Sequence, residues 1–199
     1  MKPHLLALAL TPFAALAACS SEPASEPTGG TSSAAPTETA VPEPSATPET
    51  APTPAPANLL RLEGLGDLEI GKPVPKGGSW KADGVQASDT CLTYNSSSYP
   101  GVYAIVEDGA VRRITAGEGS RVRLAEGIGV GDSEADVKKW FAGFREAPHT
   151  YEDAPAKYLT APNGESGDPA LRFEIDASRH VSFIHIGTWP VLGYVEGCA

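Results

Sequence analysis

Serine, histidine, carboxylate and thiol groups recur in this chain at spacings that invite a chemical reading. Gly131-Asp132-Ser133 has the composition of a hydrolase nucleophile segment. Such an enzyme needs a late Asp-x-x-His for its base, which the sequence lacks, and Glu134 follows the serine. Ser133 stands directly ahead of an apolar-periodic run, where it serves as a helix N-cap. A Gly-x-Ser-x-Gly elbow, a phosphate-cradling loop and a His-Glu-x-x-His helix are all missing from the sequence. Pro148-His149-Thr150-Tyr151-Glu152-Asp153 could in principle offer His149, Glu152 and Asp153 to a divalent ion. A proline-bounded connection between helix and strand is expected to be polar in any case, so no metal is assigned there. His180 and His185 stand five apart around a strand, which sends them to opposite sheet faces, away from a shared ion. The expectation is a chain without catalytic residues, metal or cofactor.

The thiols are more informative. Cys19 closes the stretch Leu16-Ala17-Ala18-Cys19, behind a basic Lys2 and a short apolar run, Leu5 to Leu10 with Phe13 to Leu16. That run is too short to span a bilayer, so 1–18 reads as a signal removed at the cysteine. In this order of residues the chain resembles a bacterial lipoprotein, and the resemblance implies diacylglycerol on the Cys19 thiol. Ser20, not Asp, follows the cysteine, which by the same resemblance favours the outer membrane, with the chain facing the periplasm. Export leaves Cys91 and Cys198 in an oxidising compartment, where they are expected to pair. A metal pair would want a Cys-x-x-Cys spacing and a neighbouring histidine.

Stepping along the chain, 20–58 is Pro, Ala, Ser, Thr and Glu with no Lys, Arg or aromatic residue. It cannot bury enough apolar surface to order itself, so 19–58 is expected to be a disordered tether. At roughly 3.1 Å per residue in polyproline II it would reach on the order of 100 Å. The formal net charge of −10 repels phosphate backbones and anionic headgroups. This argues against nucleic acid as a partner and leaves the acyl chains on Cys19 as the membrane anchor.

The globular part is expected over 59–199. Val102-Tyr103-Ala104-Ile105-Val106-Glu107 and Val111-Arg112-Arg113-Ile114-Thr115 flank Asp108-Gly109, a type I′ hairpin signal. A second hairpin joins Leu171-Arg172-Phe173-Glu174-Ile175 to Val181-Ser182-Phe183-Ile184-His185-Ile186. Val111, Ile114 and Gly117 match Val181, Ile184 and Gly187 at one offset; Ile70-Gly71 aligns with Val130-Gly131, and Leu92-Thr93 with Leu159-Thr160. Behind Ser133, the spacing of Val137, Trp140, Phe141 and Phe144 predicts an amphipathic helix with Trp140 in the core. Prolines and glycines in 72–78 forbid the matching helix in the first copy. The expected fold class is α+β: two divergent repeats, roughly 64–117 and 127–187, of a helix packed on a mainly antiparallel sheet.

Tyr94, Tyr99, Tyr103, Tyr158, Trp189 and Tyr194 gather around the strands and their ends. Pro190 ends a ladder directly after Trp189, so Trp189 is expected at a sheet end, with Tyr194 as a companion in a candidate binding patch. The alternative is that Trp189 seals the sheet against the Cys198 tail.

Pro148-His149-Thr150-Tyr151, Phe173-Glu174-Ile175 and Tyr194-Val195-Glu196-Gly197-Cys198 resemble segments of a group of small bacterial lipoproteins, some of them labelled lectin. A duplicated helix-plus-sheet unit also looks like the β-lactamase-inhibitory protein architecture, and a single unit like small outer-membrane assembly lipoproteins. These resemblances carry no function; a tethered, acidic, disulfide-closed sheet domain is expected to be a non-enzymatic module that docks an envelope protein. Carbohydrate or peptidoglycan binding is the alternative.

Overall fold

The computed structural model of the chain describes residues 58–83 and 88–198. The signal peptide 1–18, the Cys19 lipidation site and the tether up to residue 57 lie outside the described residues. Eleven strands follow in order: β1 Leu60–Arg61, β2 Gly64–Leu65, β3 Leu68–Glu69, β4 Trp80–Ala82, β5 Cys91–Ser96, β6 Val102–Glu107, β7 Ala110–Ala116, then after a helix β8 Arg145–Pro148, β9 Lys157–Thr160, β10 Ala170–Ile175 and β11 Val181–Gly187. The helix α1 is Glu134–Trp140, and a 3-10 turn occupies Val191–Gly193. β1 to β3 form a small antiparallel sheet, and the rest form one eight-stranded sheet in the order β4-β5-β6-β7-β11-β10-β9-β8. Its two margins are short: β4 has three residues, and β8 has four, all exposed.

This overturns the expected α+β fold of two helix-on-sheet repeats. The domain is mostly β, and among the described residues α1 is its single α-helix, seven residues long. Ser133 does cap it, accepting a hydrogen bond from the Asp136 amide. The helix stops at Trp140 because Phe141 leaves helical geometry, with φ −121° and ψ 46°. Phe144 reaches the core from the chain beyond. Trp140, expected inside, is the last helical residue and 57% exposed; the space against Phe173 is filled by Phe141 and Phe144 from the non-helical chain beyond. Leu60, Leu65 and Leu68 of the small sheet and Val122, Leu124 and Ile128 of the connection before α1 share one core with the sheet's apolar face.

What the topology duplicates is a four-stranded meander, β4 to β7 against β8 to β11, meeting where β7 pairs with β11. The hairpin turn at Asp108-Gly109 takes positive φ at both residues, 52° and 76°, as its residue types require. Each hairpin carries the same irregularity. In β6–β7 the pairs Ile105↔Arg113 and Val106↔Val111 leave Arg112 as the extra residue, and in β10–β11 the pairs Glu174↔Phe183 and Ile175↔Val181 leave Ser182. Val111 exchanges hydrogen bonds with the Gly71 amide and the Lys72 carbonyl, and Val181 does so with the Gly131 amide and the Asp132 carbonyl. Both glycines sit at positive φ, 81° and 89°. The alignment of Leu92-Thr93 with Leu159-Thr160 is off by two, since cross-strand pairing sets Tyr94 opposite Ala104 and Leu159 opposite Phe173.

Candidate functional site

Alternation along the strands builds two unlike sheet faces. Ala104, Ile114, Phe173, Ile184 and Ile186 point into the core. Their neighbours Tyr103, Arg113, Thr115, Arg172, Glu174 and His185 share the second face, as their cross-strand pairs require. The 3-10 turn and the C-terminal tail lie on that face, where Val191 packs with Ile105 and Cys91, and so does His149 of the loop after β8.

The centre of this face lies on the β7–β11 junction. Thr115 pairs directly with His185, and Thr115 Oγ1 stands 2.9 Å from His185 Nδ1. His185 Nε2 stands 3.0 Å from Glu174 Oε1. Burial pushes the His185 imidazole down to about 4, against the opposing pull of Glu174, so the ring is neutral near pH 7. Burial also pushes the Glu174 carboxyl up, but its bonds to His185 and His149 win and hold it below the usual carboxylate range. An ionised Glu174 accepts only, so His185 donates through Nε2 and its Nδ1 accepts from the Thr115 hydroxyl. His149 completes the set: its Nδ1 accepts from the Tyr151 and Glu152 amides, and its Nε2 donates to Glu174 Oε2 at 3.3 Å.

Hydroxyl, imidazole and carboxylate in a row have the form of a nucleophilic relay. Thr115 and His185 are, however, 0% and 3% exposed, so no acyl group can approach the hydroxyl. The row is a structural pin between the two meanders.

Two guanidiniums flank it. Arg113 is 1% exposed and donates to the Val191 and Tyr194 carbonyls, at 3.1 and 2.5 Å, drawing the tail onto the sheet. The tail is also held by the Cys91–Cys198 disulfide, whose Cα atoms are 5.5 Å apart. Arg172 lies over the Tyr158 ring, its Cζ 3.9 Å from the centroid, and His149 stacks on the same ring at 4.8 Å. Burial lowers the pKa of both arginines.

Trp189 follows β11 at the sheet end and is 44% exposed, with its ring laid against Gly193. Tyr194 is half-buried against Cys91 and Ile105, and its hydroxyl donates to Glu107 Oε1 at 3.1 Å. It lines a depression of about 460 Å³ with Tyr151, Glu196 and Cys198, a wall that Trp189 does not share. A second depression, about 300 Å³, has Tyr103 and Phe183 as aromatic walls and Asn95 and Glu118 as polar ones. A third, about 410 Å³, is apolar and lies between Leu60, Leu124, Phe141, Phe144 and Leu171. Glu152 and Asp153 are exposed on the loop that His149 begins, and His180 is exposed at the start of β11. Among the described residues, no group of three or more His, Cys, Asp and Glu converges as a metal site would require. No helix among them is long and apolar enough to cross a membrane.

Sequence reasoning missed Arg113, Thr115, Arg172 and Glu174 as a group. The signal was present in Leu171-Arg172-Phe173-Glu174-Ile175, where strict alternation sends both charges to one face. No family model, no curated protein and no solved structure matches the chain.

Proposed function

We propose that the protein is an envelope lipoprotein, anchored through lipid on Cys19 at the outer membrane, whose periplasm-facing domain is a non-enzymatic module that docks an envelope protein. The observation that carries the reading is the second face of the eight-stranded sheet. Around its buried centre, Tyr103, Arg172 and Phe183 remain half-buried, mixing aromatic area with a guanidinium as protein-docking surfaces do. The enclosed Thr115 hydroxyl supports the non-enzymatic part. Crosslinking and pull-down from envelope preparations should recover one stoichiometric protein, and recovery should fall at least tenfold for Tyr103→Ala; equal recovery would remove this face from the interface. Replacing Cys19 by Ser should abolish palmitate incorporation and membrane fractionation.

A second reading, glycan or peptidoglycan binding, draws support from the depression walled by Tyr103 and Phe183 with Asn95 beside them, since sugars stack on aromatic faces and hydrogen-bond at their rims. Sedimentation with murein, or binding on a glycan array, without a protein partner would favour it.

A further inference from the structure

We propose that Arg172 is the recognition residue of a carboxylate-binding site on the second face of the sheet, presenting the outer edge of its guanidinium to one planar carboxylate. The proposal rests on the docking reading and names the chemistry of what docks.

The charge balance comes first. Glu174 is the carboxylate at the centre of this face, and its two oxygens are taken by His185 and His149 at 3.0 and 3.3 Å. Neither Arg113 nor Arg172 has an ion-pair partner among the described residues. With His185 neutral, the centre carries more positive than negative charge. Arg113 spends its fork on tail carbonyls and is enclosed. Arg172 makes no such bond to a carbonyl: like that of Arg113, its Nε is buried without a hydrogen-bond partner, and its ring contact with Tyr158 supplies no counter-ion. Burial lowers its proton affinity, against the opposing pull of Tyr158 and Glu174, and both oxygens of Glu174 are already held by His185 and His149.

Geometry and access agree. Tyr158 holds the guanidinium in place, so little rotamer freedom is lost when a ligand binds. Nε is enclosed, which leaves the outer Nη edge for a bidentate partner. Arg172 reaches solvent, whereas Glu174, His185 and Thr115 do not. The chain's net charge of −10 disfavours polyanions, so the ligand presents a single carboxylate and no phosphate chain.

Titration of the full chain, in neutral detergent, by NMR of arginine Nε–Hε groups tests this. N-acetylglycine and glucuronate supply peptide-type and sugar-type carboxylates, with inorganic phosphate and chloride at matched ionic strength as comparisons. The expected result is a saturable shift of the Arg172 signal with one of the two carboxylates, and a line shape unchanged by chloride. A response no different from chloride overturns the site, as does saturation by phosphate alone. Arg172→Lys keeps the charge and loses the fork, so carboxylate affinity, followed through neighbouring amides, should fall at least tenfold; undiminished affinity overturns the bidentate edge. A pull-down that recovers the same partner with Arg172→Lys, or in excess N-acetylglycine, leaves the docking reading standing and removes the carboxylate site alone.

Discussion

The meanders β4–β7 and β8–β11 follow one backbone plan down to the extra residue in the inner hairpin, yet they are finished differently. In the first, Ala104 occupies the core position that Phe173 fills in the second, each opposite its own register partner, Ile114 or Ile184. Phe173 gathers Phe141 and Phe144, at ring distances of 5.3 and 5.9 Å, and so docks the chain that follows α1. The outer end of the second meander is tied to α1 by charges. Lys157 meets Glu134 and Glu146 at 3.0 and 2.9 Å, and Lys138 meets the same pair at 2.7 and 2.5 Å. Burial pushes the Glu134 carboxyl up, but these two lysines hold it below its ordinary range. The first meander has the disulfide, which ties β5 to the tail, while Leu192 of the 3-10 turn packs with Ala161 and Ala170 of the second. Register and bulge are backbone properties that survive divergence, whereas the layer laid over a sheet follows from a few side-chain volumes and charges.

The sharpest way to break this comparison is to give the second meander the first one's residue. Phe173→Ala removes the ring on which Phe141 and Phe144 rest and should cost about 3–5 kcal/mol, read as a lowered thermal midpoint. A loss under about 1 kcal/mol would mean that the helix region is held by its charges.

Next in size is the tie on the first meander. Replacing Cys91 and Cys198 by Ser should cost about 2–5 kcal/mol. Hydrogen exchange should quicken over β5 and the tail and stay slow in β9 and β10; uniform quickening would show that the two meanders are stabilised as one unit.

Acid probes the seam between them. His185 has its proton affinity lowered to about 4 by burial, so between the ordinary histidine range and that value the unfolded chain binds a proton that the folded chain does not. Stability should therefore fall as pH drops through this window, and Glu174, also lowered, adds its loss below the usual carboxylate range. His185→Asn removes the first of these losses. An unchanged pH dependence of chemical denaturation in that variant would place the acid sensitivity elsewhere.

The smallest effects belong to the two exposed tryptophans. Trp189→Ala should cost about 1–2 kcal/mol of stability, from contact with Gly193, while a docking role would show as about 2 kcal/mol of lost partner affinity. A stability loss of 3–5 kcal/mol with unchanged partner affinity would make it a seal on the tail instead. Trp140→Ala should fall within about 0.5 kcal/mol, since its ring meets mainly Lys139 and solvent.

Local chemistry was legible in the sequence, and the elements it marks stand where residue types put them. Asp108-Gly109 needs positive φ at adjacent positions, and Ser133 offers an oxygen to Asp136, so both turned the chain as expected. Helix length was not legible. Val137, Trp140, Phe141 and Phe144 keep helical spacing, but only Val137, Phe141 and Phe144 reach the core, the last two from non-helical backbone. Spacing records which residues are apolar and leaves the path between them open. The polar centre was hidden for a different reason: Thr115, His185 and Glu174 are brought together by the β7–β11 pairing, a contact between distant segments that periodicity within a strand cannot reveal.

The margins of the large sheet bear on how copies of this chain behave in a crowd. An open strand edge is a template on which a neighbour can add, and repeated addition makes a fibre. β8 is only four residues long, presents Arg145 and Glu146 to solvent, and ends in Pro148, which has no amide to give. β4 offers three residues, with Lys81 exposed among them. Neither side gives a second molecule enough ladder to hold, so the sheet resists growth into a polymer even where many copies share one surface.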